Sequence, residues 1–145
     1  MTGVAPDRRT VLLGLCGAVA AGLGSALLAE GAQAATGVVV NASGQAVVTV
    51  AKVPSLAKVG GIANLGTVKG VPTAVVRTGA SSYAALDLRC THQGVTVQST
   101  GTAWSCPAHG SAYAVNGTVT RGPAMRNLAS VKSVFKKGVL TVGQP

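Results

Sequence analysis

Beyond residue 34, every cysteine and histidine of the chain falls in two short boxes: Cys90-Thr91-His92-Gln93-Gly94 and Cys106-Pro107-Ala108-His109-Gly110-Ser111. They read C-x-H and then C-x-x-H, with residues 93–105 between the last ligand-type side chain of the first and the first of the second. Thiolate and imidazole are the side chains that hold iron, zinc or copper. Four of them with none left over point to one metal centre. Structural zinc sites usually take a short-spaced Cys pair and a short-spaced His pair, whereas each box here supplies one of each. A [2Fe–2S] centre in which two His replace two Cys on one iron needs such a set, and its neutral imidazoles raise the potential relative to an all-Cys cluster. Three other readings stay open on the residues alone. Cys90 and Cys106 could be small buried apolar side chains, could form a disulfide in an exported protein, or could join the histidines in a non-redox structural zinc site. A Cys–His hydrolase has little support. No oxyanion motif stands out, and past residue 34 the only side-chain carboxylate is Asp87.

With Cys90-Thr91-His92-x-Gly94, Cys106-Pro107-x-His109-Gly110-Ser111 and Gly122-Pro123-Ala124 in view, the chain resembles the Rieske iron–sulfur family. The resemblance is specific over residues 88–124 and diffuse elsewhere. It implies one [2Fe–2S] cluster per chain, with Cys90 and Cys106 on one iron and His92 and His109 on the other. It likens the segment around Pro123 to the proline loop that covers the cluster. It likens Ser111 and Tyr113 to the hydroxyl pair that, in high-potential members, hydrogen-bonds a bridging sulfide and a ligand thiolate. Such donors stabilise the reduced, more negative cluster. Two departures mark a hybrid. The extra cysteines that tie the two boxes together in quinol–cytochrome c reductases are replaced by Val95 and Ala108, and the hydrophobic residue common after the first His is Gln93. The expected role is one-electron transfer, as an exported carrier or as the Rieske subunit of a quinol–cytochrome c or arsenite-oxidase-type oxidoreductase. The redox partner would be a cytochrome or a larger oxidoreductase subunit. An oxygenase would need a further mononuclear iron site with its own histidines, and none remain. Trp104 is expected to pack beside the cluster, and Met125 to fill core or loop.

These residues need a scaffold and a compartment. Residues 1–34 read as an export signal: Arg8-Arg9, an apolar Ala- and Gly-rich run from Val11 to about Ala29, then Ala32-Gln33-Ala34 as a cleavage site. The paired arginines look like a twin-arginine signal, which would carry an already folded metalloprotein to the periplasm or cell envelope. If retained, the run is long enough to span a bilayer. Residues 35–145 suffice for one domain. The net charge of +9 suits an acidic redox protein or an anionic envelope. Nucleic acid is not expected, because the basic residues are scattered and aromatics do not interleave with them.

The domain is expected to be all-β, and the resemblance implies stacked antiparallel sheets with a small cluster-binding part at about 87–124. β-branched runs punctuated by turns predict strands over Ala46–Val53, Thr73–Arg77, Tyr83–Leu88, Val95–Gln98, Thr102–Ser105, Ala112–Val115, Thr118–Thr120 and Gly138–Val142. Val115-Asn116-Gly117-Thr118 predicts a two-residue hairpin. Residues 35–46 are expected to be a linker. With four aromatic residues past residue 34, the core must rest on Val, Leu, Ile and Ala.

Overall fold

The computed structural model describes residues 36–143; the expected export signal lies outside them. Eleven strands form three antiparallel sheets. The first holds β1 (Val38–Val40), β2 (Ala46–Thr49), β11 (Val139–Val142) and β10 (Ser133–Lys136), side by side in that order. The second is β3 (Ile62–Val68), β4 (Val71–Arg77) and β5 (Tyr83–Asp87). The third is β6 (Gln98–Ser99), β7 (Ala103–Ser105), β8 (Ala112–Ala114) and β9 (Val119–Arg121).

The middle sheet separates two cores. Along a strand, successive side chains point to opposite faces. In β4, Val75 joins one cluster with Val48, Leu56, Leu65, Leu140 and Val142, while its neighbours Ala74 and Val76 join a second. In β5, Ala85 faces the first core and Leu86 the second. That second core also holds Leu88, Val97, Trp104, Tyr113, Leu128 and both box cysteines. Burial on both faces explains why Thr73–Val76 is buried without a break rather than alternating.

The chain leaves the middle sheet at Asp87 and returns beside its own exit. The Asp87 N–H donates to the Ala129 carbonyl at 2.8 Å, the Val131 N–H to the Ala85 carbonyl at 2.8 Å, and Leu86 bridges Ser130. Residues 88–128 are thus an excursion with adjacent ends, and the third sheet lies within it.

Four local expectations are corrected. Residues 35–46 are not all linker, since Val38–Val40 pairs with Ala46–Val48. The turn between them is closed by the Asn41 side chain, whose Oδ1 accepts from the Ser43 and Gln45 N–H groups. The strand begun at Ala46 ends at Thr49 and continues as two short 3-10 turns, Val50–Lys52 and Pro54–Leu56. The hairpin at 115–118 has three loop residues, not two: the Gly117 N–H donates to Ala114 and the Ala114 N–H to Thr118. Gly117 takes φ +88°, and a Cβ there would meet a Leu86 methyl at 3.0 Å, so this turn admits glycine for both conformation and space. Residues 95–97 are not strand; Val97 instead reaches the Leu88 carbonyl through its N–H.

Candidate metal centre

The two boxes fold alike. In the first, the Cys90 carbonyl accepts from the Gly94 N–H at 2.7 Å and the Cys90 N–H donates to the Val95 carbonyl at 2.8 Å. In the second, the Cys106 carbonyl accepts from the Gly110 N–H at 3.0 Å and the Cys106 N–H donates to the Ser111 carbonyl at 2.8 Å. Gly94 and Gly110 both take positive φ, +76° and +74°, which a side chain would resist. The Cys-to-Gly spacing is the same in both boxes although the Cys-to-His spacing differs. Closing the loop on the glycine turns the backbone so that the intervening His can stand outward while the Cys points in.

Cys90, His92, Cys106 and His109 are brought together, and they sort by depth. Both cysteines are free thiols, 2% and 3% exposed, in the core under the loops. Both histidines are exposed, and their rings meet edge to face with centroids 5.0 Å apart. Among the described residues, no three His, Cys, Asp or Glu gather around a single point as one ion would require. The four form a buried thiol pair and an exposed imidazole pair, an arrangement that fits a two-iron cluster gripped by thiolate at one end and imidazole at the other.

The hydroxyls stand where they can act on the thiols. The Tyr113 oxygen lies 3.2 Å from Cys90 Sγ and 3.2 Å from Thr91 Oγ1, and accepts from the Thr91 N–H at 3.1 Å. Thr91 Oγ1 donates its proton to the Arg126 carbonyl at 2.6 Å, so it has none to offer Tyr113, whose single proton is directed to Cys90 Sγ. Ser111 Oγ accepts from the Ala124 N–H at 3.0 Å, which leaves its proton for the sulfur side. Burial alone would push the Cys90 thiol up. The Tyr113 hydroxyl, the His92 N–H, the Cys106 thiol and the Ser111 hydroxyl outweigh it and bring Cys90 down to about 7. Burial and the neighbouring Cys90 push the Tyr113 phenol up, so it stays a donor.

Residues 121–126 clasp both boxes. Arg121 Nε donates to the Gly110 carbonyl at 3.0 Å in the second box, and the Arg126 carbonyl receives Thr91 of the first. Pro123 sits in this segment, after a cis peptide from Gly122. Trp104 is buried in the same core as both cysteines, with Nε1 donating to the Val115 carbonyl at 3.0 Å. Met125 is 91% exposed, against the expectation of a filler residue: its neighbour Ala124 turns inward instead. Thr91, Arg121 and Arg126 were not singled out by sequence. The signal for Thr91 was its hydroxyl between two ligand-type residues; the arginines give none, because their contacts run through main-chain atoms of distant residues.

An all-β scaffold presenting two Cys–His loops at one end, with thiols inside and imidazoles outside, defines a class of iron–sulfur protein. A model of the Rieske [2Fe–2S] domain family matches residues 38–132, and the chain belongs to that family, whose cofactor is a [2Fe–2S] cluster. It is 44% identical over 68 residues to the cytochrome b6-f complex iron-sulfur subunit of Synechococcus sp. (strain JA-3-3Ab), over 45% of this chain and 40% of that protein. It is 40% identical over 57 residues to the mitochondrial cytochrome b-c1 complex subunit Rieske of Schizosaccharomyces pombe, over 37% of this chain and 25% of that protein. The matched stretch therefore spans well under half of either relative. Among solved structures, a hyperthermophilic respiratory Complex III chain aligns over 69% of this chain and 74% of its own at TM-score 0.54 and 22% identity, which shows a shared fold.

Proposed function

We propose that the protein transfers single electrons through a [2Fe–2S] cluster held by Cys90, Cys106, His92 and His109, with Cys90 and Cys106 on the inner iron and the histidines on the outer. The observation that carries this reading is the sorting of four ligand-type side chains into a buried thiol pair and an exposed imidazole pair on two equivalent loops. When bound, the cluster supplies a one-electron couple. The protein's part is to hold and tune it. Tyr113 and Ser111 place hydroxyl donors at the sulfur side, where added negative charge is favoured. The second core, with Trp104, Leu88 and Val97, keeps water from the thiolates. His92 and His109 stand at the surface, where a partner can approach closely.

The protein works outside the cytoplasm, in the periplasm or cell envelope. Residues 1–34 support this by their twin-arginine pattern and cleavage site. The partner is a cytochrome or a larger oxidoreductase subunit, in keeping with relatives that are subunits of cytochrome complexes. The decisive measurement is low-temperature EPR of the dithionite-reduced protein after reconstitution with iron and sulfide. A rhombic signal of the His-ligated [2Fe–2S] type, lost in His109→Ala, is expected. A colourless protein that retains stoichiometric zinc would overturn the proposal.

A further inference from the structure

The electrostatics of the imidazole end single out a partner. Asp87 is the only carboxylate side chain past residue 34, and it is already taken. Arg89 binds it through Nε to both oxygens at 3.0 Å, through Nη2 at 2.5 Å and through the backbone N–H at 2.9 Å. Residues 88–143 contain no acidic side chain at all. Two exposed arginines flank the histidines. Arg121 is tethered by Nε to the carbonyl of Gly110, next to His109, and Arg126 is held through its own carbonyl to Thr91, next to His92. Between them along the chain, Met125 stands 91% exposed, an apolar side chain close in sequence to both charges, and docking patches often pair an apolar centre with a polar rim.

A cluster with two Cys and two neutral His does not cancel these charges. Two ferric irons, two sulfides and two thiolates sum to zero, and one added electron gives a net −1. The face therefore carries uncompensated guanidinium charge in the oxidised form and less net positive charge in the reduced form. We propose that this end of the molecule, with Arg121 and Arg126 as its charged contacts and Met125 as its apolar one, docks an acidic face of a redox protein. The proposal rests on the electron-transfer reading above. Complementary charge chiefly accelerates encounter, and the acceleration fades with salt.

The test uses the cluster-loaded protein and one haem protein at two charges: native cytochrome c, which is basic, and the same cytochrome with its lysines succinylated. Stopped-flow electron exchange at low and high salt reads the encounter rate. The succinylated form should react about tenfold or more faster than the native at low salt, with the gap closing at high salt. Arg121→Gln with Arg126→Gln should remove most of that gain, the new amide at position 121 keeping a donor for the Gly110 carbonyl. Lys136→Gln with Lys137→Gln, in the β10–β11 turn of the first sheet, should leave most of it. Equal rates for the two cytochromes, or equal loss from the lysine pair, would overturn the proposal in favour of a diffuse net-charge effect. So would an arginine effect confined to sedimentation with phosphatidylglycerol vesicles, which would make the face a lipid contact. EPR of the same samples separates these outcomes from failure of the cluster assignment, since a protein without the rhombic signal refutes that reading first.

Discussion

Tyr113 sits at the junction of three interactions: the Cys90 sulfur, the Thr91 amide and the Thr91 hydroxyl. A hydrogen bond to a charged acceptor contributes about 1.5–3 kcal/mol, and only the difference between the two redox states reaches the potential. Taking about 1–2 kcal/mol for that difference, Tyr113→Phe should lower the reduction potential by roughly 40–90 mV, with the EPR signal retained. Protein-film voltammetry would read it. In the metal-free protein the same hydroxyl helps hold Cys90 at about 7, below the ordinary thiol value of 9.0. The thiolate is the form that binds metal, so folding prepares this ligand at neutral pH. The sign follows from linkage. A thiol acidified by folding contributes stability above its unfolded value, and that contribution is lost as pH falls through about 7. Urea midpoints of the metal-free protein should therefore rise between pH 7 and 9, and Tyr113→Phe should flatten the rise. The four ligand-type residues stood out in the sequence because thiol and imidazole are rare and their spacing is short. The roles of Thr91 and Arg121 were not, since each acts on a partner 11 to 35 positions away through a main-chain atom that any residue would offer.

At the scale of elements, most strands were readable as short runs between turn residues, and β1, β3 and β10 were not. β3 carries Asn64 and Gly66 in its middle, with Asn64 Oδ1 accepting from the Gly66 N–H and the pairing register shifting between them. A bulge of this kind replaces side chains that favour a strand with ones that mark a turn. β10 alternates half-buried and exposed residues and ends in Lys136, too short and polar a run to stand out. The connection after β4 depends on Arg77, whose guanidinium donates to the carbonyls of Leu56, Ala57, Gly79 and Ala80 and lies 6.0 Å from the Tyr83 ring centre. Arg77→Ala should cost about 2–3 kcal/mol in denaturant unfolding with the cluster spectrum unchanged. Arg77→Lys should recover little, because an ammonium cannot span the carbonyls that a planar fork reaches. Gly117→Ala belongs to the hairpin between β8 and β9. It should cost about 1–2 kcal/mol from the left-handed backbone alone, and more if Leu86 cannot yield.

For the whole molecule, the two cores predict unequal consequences of losing the cluster. Thiols and aromatic residues of the second core surround the site, while the first core lies on the other face of the middle sheet. Removing iron and sulfide should release amide protection in residues 90–126 by tenfold or more while β2, β4 and β11 keep theirs, as hydrogen exchange with mass spectrometry would show. Uniform loss of protection would mean that the cores fold as one unit. The all-β class was legible from turn residues and short runs. The layering was not. A middle sheet buried on both faces lacks the alternation that shows which side a strand presents.

The exit and return of the chain at Asp87 and Ala129 have an evolutionary consequence. A segment whose two ends are already hydrogen-bonded to one another can be exchanged as a cassette, because its replacement leaves the host strands and their order untouched. What a newcomer must match is its underside: the apolar contacts that Leu88, Trp104 and Leu128 make in the same core as Ala74, Val76 and Leu86. Redox segments of different potential could thus pass between scaffolds that share this footprint, and the loops above it would be free to diversify without renegotiating the fold beneath.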